Sequence, residues 1–182
     1  MNSLAMCSLL LTLCFFLIAQ SPSLTNARDL HNGYVLIAQI CNENQPNKIA
    51  CTNLLRADPK VLSATNFFEL AEAILELGWK KGIDGLEYLT GLAAKTKDVP
   101  AIGRCAIYYG SSVDSFRHSL GKLVEDPRIA NHLAKTAGDG PLSCEVDLRS
   151  AHIVNPAISD LDRQTNLLSY IATLAIERLI KA

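Results

Sequence analysis

The amino-acid sequence predicts an all-α protein, an antiparallel four-helix bundle preceded by an N-terminal α-helical hairpin and held by two disulfides. Three observations predict this fold. Apolar residues recur every three or four positions along four long stretches of the chain, which is the period of a helix that buries one face. The sequence has no alternating run of β-branched residues that would indicate a strand. Four cysteines follow an apolar leader, which is typical of a disulfide framework.

The leader, residues 1–27, predicts a secretory signal peptide. It contains no charged side chain, and Leu4–Ala19 is nearly continuous apolar sequence followed by a stretch with Pro22. The small residues around Ala27 suit signal peptidase, so we expect a mature domain over 28–182. A retained membrane anchor is the alternative, and it fits less well because a span needs ~20 apolar residues.

The mature chain of about 155 residues suits one domain with its own core. The full sequence has 17 basic and 18 acidic residues and a net charge of −1. Because no basic run stands out, we expect neither a nucleic-acid partner nor membrane association after signal removal.

Residues 28–60 predict the helical hairpin. Cys41 and Cys51 lie on either side of Pro46 at equal distances, so two limbs folding back at the proline would bring the sulfurs together. Asp58-Pro59 ends the second limb, because the residue before a proline avoids the α region.

Residues 61–182 predict the bundle, and its first helix is expected from about 66 to 95. Asn66 has the spacing of an N-cap with Glu69 as the capping-box acid. Gly78, Gly82 and Gly85 lie within the apolar stripe and predict a kinked or loosened segment. Close backbone packing or a flexible partner surface is one interpretation of these glycines, and a tolerated irregularity is the one we favour.

The second helix is expected to be capped by Asp98, and its apolar stripe runs from Ile102 to Leu123. Asp126-Pro127 is the preferred N-cap and N1 pair of a third helix. The predicted stripe of that helix is Ile129, Leu133 and Ala137, and it is interrupted at 138–141. The last helix is expected from about 157 to 180, with seam residues Leu161, Leu168, Ile171, Ala175 and Leu179.

The bundle geometry selects the second disulfide among the three possible connectivities. Cys105 and Cys144 lie roughly 31 and 27 Å along antiparallel neighbours from the turn at Asp126, at 1.5 Å per helical residue. The two sulfurs therefore reach nearly the same height, and we expect Cys41–Cys51 and Cys105–Cys144. Zinc would require CxxC-like local pairs, which the sequence lacks.

Chemistry-bearing motifs are absent from the sequence. The four histidines are isolated from one another, and His118 is expected to be solvated. The acids Glu69, Glu72 and Glu76 share one helical face and could resemble glycosidase carboxylates, but a solvated face is commoner. We therefore expect no catalytic residue, metal or cofactor, and a binding protein rather than an enzyme.

The chain resembles the plant invertase and pectin methylesterase inhibitor family across the whole mature region. The resemblance rests on the signal peptide, on the four cysteines, and on five local patterns. These are Leu-Ile-x-x-Ile-Cys41, Leu54-Leu55-x-Ala-Asp58-Pro59 after Cys51, Tyr109 after Cys105, Glu145 beside Cys144, and the helix Ile171–Ile176. It implies a secreted, non-catalytic protein of the cell wall or apoplast, or alternatively of the vacuole, that docks onto a carbohydrate-active enzyme and blocks its substrate cleft.

Two targets are consistent with this resemblance. Family invertase inhibitors carry a Pro-Lys-Phe segment at a junction of bundle helices, and the matching place here reads Pro127-Arg128-Ile129. Arg128 could pair with the catalytic acids of an acid invertase (beta-fructofuranosidase). On a purely structural interpretation, Pro127 only begins a helix, Arg128 faces solvent and Ile129 belongs to the core.

The break at 138–141 departs from the Ala-rich helical pattern that is usual in pectin methylesterase inhibitors, which also favours an invertase as the target. More family members look like pectin methylesterase inhibitors, however, so we expect a pectinesterase inhibitor, with the invertase inhibitor as the alternative. A secreted carrier of an apolar ligand is a remote third class, and it would need an interior cavity of ~300 Å³ or more.

Overall fold

The computed structural model describes residues 24–181, with side chains from His31 onward. Most of the predicted signal segment, residues 1–23, lies outside the described residues, and cleavage after Ala27 stays a prediction. Within residues 24–181 every regular element is a helix, and no helix is both long and apolar enough to span a membrane. The α-helices are α1 (Leu24–Glu43), α2 (Lys48–Arg56), α3 (Pro59–Leu62), α4 (Phe67–Lys95), α5 (Pro100–Lys122), α6 (Pro127–Thr136), α7 (Asp139–Ser150) and α8 (Pro156–Lys181).

The helical hairpin is formed by α1 and α2, joined by a short 3₁₀ turn that contains Pro46. Cys41 and Cys51 form the predicted disulfide, with their Cα atoms 5.6 Å apart. The hairpin continues into α3, because Asp58 caps that helix by accepting hydrogen bonds from the backbone N–H groups of Lys60 and Val61. Gly33 of α1 lies against the backbone of Leu62, and a Cβ atom there would collide with its carbonyl oxygen.

The four-helix bundle is confirmed. Helices α6 and α7 follow one another as a single broken helix, so the four members are α4, α5, α6–α7 and α8. Helix α4 packs on α5 and α8, and the broken helix packs on the same two, which places α5 and α8 at diagonal corners. The interfaces bury the predicted apolar stripes of α4, α5 and α8, and the hairpin packs against the same core.

Helix α4 shows why its glycines are needed. It runs without a break from Phe67 to Lys95, which agrees with the predicted helix from about 66 to 95. A Cβ atom on Gly78 would lie 2.5 Å from the Phe116 ring, and one on Gly85 would lie 2.7 Å from the Tyr109 ring. The glycines therefore admit aromatic side chains of α5, and close packing replaces the irregularity that we favoured.

Asn66 is confirmed as the N-cap of α4, because Oδ1 of Asn66 accepts a hydrogen bond from the N–H of Glu69 at 3.0 Å. The Glu69 carboxylate instead accepts from the N–H and hydroxyl of Thr65, at 2.7 and 2.8 Å. Glu76 on the same helix forms an ion pair with Lys60 of α3 at 2.6 Å. The acidic face of α4 thus includes a contact that holds the hairpin to the bundle.

Helix α5 is capped by Val99 rather than by Asp98. Pro100 occupies the first helical position, so the N-cap must be the residue directly before it, and Asp98 lies one residue too early. The seam of α5 is otherwise as predicted, and its fully buried side chains include Cys105, Tyr109 and Phe116.

The third bundle helix departs from the predicted stripe. Its buried residues are Ala130, Ala134 and Ala137. Ala130 and Ala134 each lie one position after the residue that was expected to be buried, Ile129 and Leu133 respectively. The helix is interrupted only at positions 137–138 and resumes at Asp139. Gly140 then lies so close to α5 that a Cβ atom would be 2.5 Å from the Tyr108 carbonyl oxygen.

The second disulfide joins Cys105 of α5 to Cys144 of α7, with Cα atoms 4.6 Å apart. Both cysteines are fully buried. The connectivity that the bundle geometry predicts is therefore the one that the structure contains.

The last helix begins at Pro156, where the Asn155 side chain accepts from the N–H groups of Ala157 and Ile158. It ends at Lys181, so both ends agree with the prediction to within a residue.

Candidate functional site

The α5–α6 junction, residues 122–131, carries the sequence-predicted site residues Pro127, Arg128 and Ile129. Asp126 caps α6 by accepting from the N–H groups of Arg128 and Ile129, both at 3.1 Å. Pro127 occupies the first helical position, where its missing N–H costs nothing. The local sequence therefore builds a sharp, capped helix start at one end of the bundle.

Side chains at this junction point outward. Ile129 is 48% exposed and Val124 is 77% exposed, so the interpretation of Ile129 as a core residue is wrong. Its place in the seam is taken by Ala130, whose small side chain lets the first turn of α6 lie close to α5. Arg128 is exposed, and among the described residues no carboxylate lies within ion-pair distance of its guanidinium. The junction presents one unpaired cation between two apolar side chains.

Internal hydrogen bonds from side chains to backbone carbonyl groups fix the broken helix against its neighbours. The Ser119 hydroxyl donates to the Ala130 carbonyl at 2.7 Å, and the Asn131 amide donates to the Thr173 carbonyl at 2.9 Å. The Ser169 hydroxyl donates to the Ala134 carbonyl at 2.7 Å. Each of these bonds joins a side chain of one helix to a backbone carbonyl group of another. Together they hold the junction as a rigid surface.

Next to the cation, Lys122 and Glu125 form an exposed ion pair at 2.7 Å. The hydrogen bond from Lys122 lowers the pKa of Glu125. Because both side chains are solvent-exposed, the pair contributes little to stability. The two charges of this pair offset one another, and Arg128 and the capping Asp126 are the other charged side chains of residues 122–131.

A second face presents apolar side chains on the outer sides of α5 and α7. Ile107 is 69% exposed and Val146 is 55% exposed. Arg104 of α5 forms an ion pair with Asp147 of α7 at 2.5 Å, and the Tyr108 hydroxyl bonds the same carboxylate at 3.2 Å. The Arg104 hydrogen bond lowers the pKa of Asp147. Together with the Cys105–Cys144 disulfide, these contacts lock the two helices together.

The interior of the bundle contains one buried polar pair that the sequence analysis did not identify. The Tyr109 hydroxyl donates to Oδ1 of Asp162 at 2.8 Å, and Asp162 is 5% exposed. Burial raises the pKa of Asp162 to about 7, and that of Tyr109 above its usual range. The burial of Asp162 could have been predicted from helical spacing, because Asp162 lies on the same face of α8 as the buried residues Ile158 and Thr165.

Groups suited to metal binding do not come together in the described part. No set of three His, Cys, Asp or Glu side chains there could hold a metal ion. Residues His31, His118, His132 and His152 are all exposed. Glu72 and Glu76 both lie near the Lys60 ammonium, at 3.8 and 2.6 Å, which is the arrangement of a solvated, ion-paired face.

An open groove of about 650 Å³ lies where the turn of the hairpin overhangs α7 and α8. Asn44 and Asn47 line it from the hairpin, Leu142 from α7, and Asp162 and Tyr170 from α8. Motif spacing did not reveal this groove, because it exists only once the hairpin is placed on the bundle.

Comparison with known proteins agrees with this architecture. The model of the plant invertase/pectin methylesterase inhibitor family matches residues 35–176. No curated protein matches the chain significantly.

Two solved structures share the fold. A mutant form of a pectin methylesterase inhibitor from Arabidopsis has a TM-score of 0.65 at 18% identity, covering 72% of this chain and 89% of that one. A pectin methylesterase inhibitor from Arabidopsis thaliana has a TM-score of 0.60 at 19% identity, covering 80% and 96%. Since the family model spans most of the sequence and the structures share its helical architecture, the chain belongs to the plant invertase/pectin methylesterase inhibitor family.

Proposed function

We propose that this protein is a secreted, non-catalytic inhibitor of a plant pectin methylesterase that acts by docking over the substrate cleft of the enzyme. Family membership over residues 35–176 is the observation that carries the proposal. The two solved neighbours are described as pectin methylesterase inhibitors, which favours this target within the family.

The outer face of α5 and α7 is the docking surface that we assign to this target. The fully buried core of an interface is more apolar than the rest of a protein surface, and Ile107 and Val146 are exposed there on helices that are fixed to each other. The disulfide and the Arg104–Asp147 ion pair keep these helices in place, so little conformational entropy is lost when a partner binds.

An acid invertase is the second candidate target, and the exposed Arg128 at the α5–α6 junction is the observation that favours it. A guanidinium without a carboxylate partner is suited to bind the paired acids of a glycosidase. The exposed Ile129 gives the junction an apolar contact beside the charge. A carrier of apolar ligands has less support, because the groove is open to solvent and amide and carboxyl groups form part of its lining.

The proposed sites of action are the cell wall and the apoplast, with the vacuole as the alternative. The predicted signal peptide and the two disulfides support an oxidising compartment.

The test is to mix the oxidised mature protein with a plant pectin methylesterase and, separately, with an acid invertase. Loss of methyl-ester hydrolysis with unchanged sucrose hydrolysis supports the proposal. Loss of sucrose hydrolysis alone contradicts it and selects the invertase alternative.

A further inference from the structure

We propose that the groove beneath the hairpin turn is a binding site for a neutral mono- or disaccharide, because two buried polar side chains that line it lack hydrogen-bond partners. The volume of about 650 Å³ lies within the ~300–1,000 Å³ range of small-molecule sites. This inference does not rest on the proposed inhibition, and it concerns a different part of the molecule from the α5–α6 junction.

The two side chains are Asn44 and Asp162, each 5% exposed. Asn44 Nδ2 and Asp162 Oδ2 have no partner, although nearly all buried polar groups in proteins are hydrogen-bonded. The terminal torsion of Asn44 is broad, so its amide can turn toward a ligand at little cost. The carboxyl group of Asp162 keeps Oδ1 on the Tyr109 hydroxyl and leaves Oδ2 for a ligand. One unused donor and one unused carboxyl oxygen match a hydroxyl group, which both accepts and donates.

The remaining lining has the mixed character that a sugar ring requires. The amides of Asn47 and Asn166 add donors and acceptors for further hydroxyls. Tyr170 is 46% exposed and Leu142 is 50% exposed, so an aromatic ring and an alkyl group are available for the C–H faces of a sugar. Pockets of this kind combine apolar contact area with a few positioned polar groups.

The charges around the groove select a neutral ligand. Glu43 is paired with Arg178, Glu145 with Arg149, and Arg163 with Asp160. Among the acidic and basic side chains that line the groove, Asp162 is the one without an ion-pair partner. A sugar that carries a carboxylate would be repelled by Asp162 when both groups are ionised, whereas a neutral sugar would not be repelled.

The test is a titration of the isotope-labelled, oxidised mature protein, followed by nuclear magnetic resonance of its amide groups. Glucose, fructose, galactose and sucrose are the neutral probes, and galacturonate is the anionic comparison. We expect saturable shifts of the Asn44, Asn47 and Asn166 side-chain amides with a millimolar Kd, on the order of −4 kcal/mol, for at least one neutral sugar. At pH 8, where the carboxyl groups of Asp162 and of galacturonate are both ionised, galacturonate should bind at least tenfold more weakly.

Two variants and a matched control locate the binding. Asn44→Ala removes an unpaired amide, so we expect an unchanged or higher melting temperature together with at least tenfold weaker sugar binding. Tyr170→Ala should weaken binding as much, while Tyr88→Ala removes a ring that is 43% exposed outside the groove and should change nothing.

The proposal is overturned if no neutral sugar gives saturable shifts at about 100 mM, well above the expected millimolar Kd. It is also overturned if binding survives both Asn44→Ala and Tyr170→Ala, or if galacturonate binds as tightly as the neutral sugars. No target enzyme is present in the titration, so its outcome is independent of whether the protein inhibits pectin methylesterase.

Discussion

The hydroxyl of Tyr109 donates a 2.8 Å hydrogen bond to the carboxyl group of Asp162, and this bond joins α5 to α8 across the diagonal of the bundle. Tyr109 is fully buried, and its ring fits against the helix α4 at Gly85. The pair therefore ties three of the four bundle members together. It also places an acid where water does not solvate its charged form.

This pair predicts that the protein is more stable in mildly acidic solution. Burial raises the pKa of Asp162 to about 7 in the folded protein, whereas an unfolded aspartate titrates near its ordinary value of 3.8. The folded state therefore binds more protons, so this contribution to stability is fully present below pH ~4 and is lost as the pH rises through 7. At ~1.4 kcal/mol per pH unit, the effect between those limits amounts to a few kcal/mol.

Urea unfolding at several pH values between 5 and 8 measures the effect, in a range where the carboxylates with lowered pKa values stay ionised. Asp162→Asn keeps the shape and removes the titration, so its stability should vary less over this range and exceed that of the wild type at pH 8. An equally steep loss of stability in the variant would assign the pH dependence to another group.

Replacing a glycine of α4 with alanine should change the stability of the protein in opposite directions at two positions. Gly78→Ala should destabilise the protein by about 1–3 kcal/mol, because its methyl group would lie 2.5 Å from the Phe116 ring. Gly91→Ala in the same helix meets nothing within 4 Å and should stabilise by ~0.5–1 kcal/mol through helix propensity. Thermal unfolding of both variants is the measurement, and a stabilising Gly78→Ala would refute the packing role of that glycine.

The two disulfides predict unequal losses of stability when each is removed by paired Cys→Ala substitutions. Cys105–Cys144 spans 39 residues and Cys41–Cys51 spans 10. Loop-closure entropy then gives about 4 kcal/mol for the longer loop and about 3 kcal/mol for the shorter. Denaturant titration of the two double variants tests this order, and a larger loss at Cys41–Cys51 would mean that the hairpin does more than close a short loop.

The outer face of α5 and α7 predicts a surface variant that loses inhibition without losing stability. Ile107→Glu places a charge at the assigned docking surface and should weaken inhibition of pectin methylesterase at least tenfold. Ile49→Glu is the matched control, since Ile49 is 78% exposed on the hairpin. Both variants should unfold within about 0.5 kcal/mol of the wild type. Equal inhibition by the two variants would remove this face from the interface.

The invertase alternative predicts a separate effect at the α5–α6 junction. If invertase is the target, Arg128→Ala should weaken inhibition of it at least tenfold, because the cation that pairs with the catalytic acids is lost. Arg117→Ala removes another exposed arginine from α5 and serves as the control. Unchanged inhibition by Arg128→Ala leaves only the role of this segment as a helix start.

Local rules were sufficient for most of the fold. Periodicity predicted the four bundle members, and the Asp126-Pro127 and Asn66 signals located two helix starts because capping depends on residues adjacent in sequence. Helical rise was enough to pair Cys105 with Cys144, since the short break at positions 137–138 leaves the two cysteines at matching heights on antiparallel neighbours.

The errors arose where a contact between distant residues decided the outcome. Ile129 was placed in the core because it is apolar, yet the close approach of α6 to α5 selects Ala130 for the seam. Gly78 and Gly85 indicated a loose helix until Phe116 and Tyr109 supplied the partners that need their space. The groove could not be predicted, because the hairpin and α8 are distant in sequence.

The most direct measurement is a titration of pectin methylesterase activity with the oxidised mature protein, with an acid invertase titrated in parallel. The proposed function predicts that methyl-ester hydrolysis falls to near zero as the inhibitor approaches stoichiometric amounts, while sucrose hydrolysis is unchanged. Full methylesterase activity in the presence of excess inhibitor would contradict it.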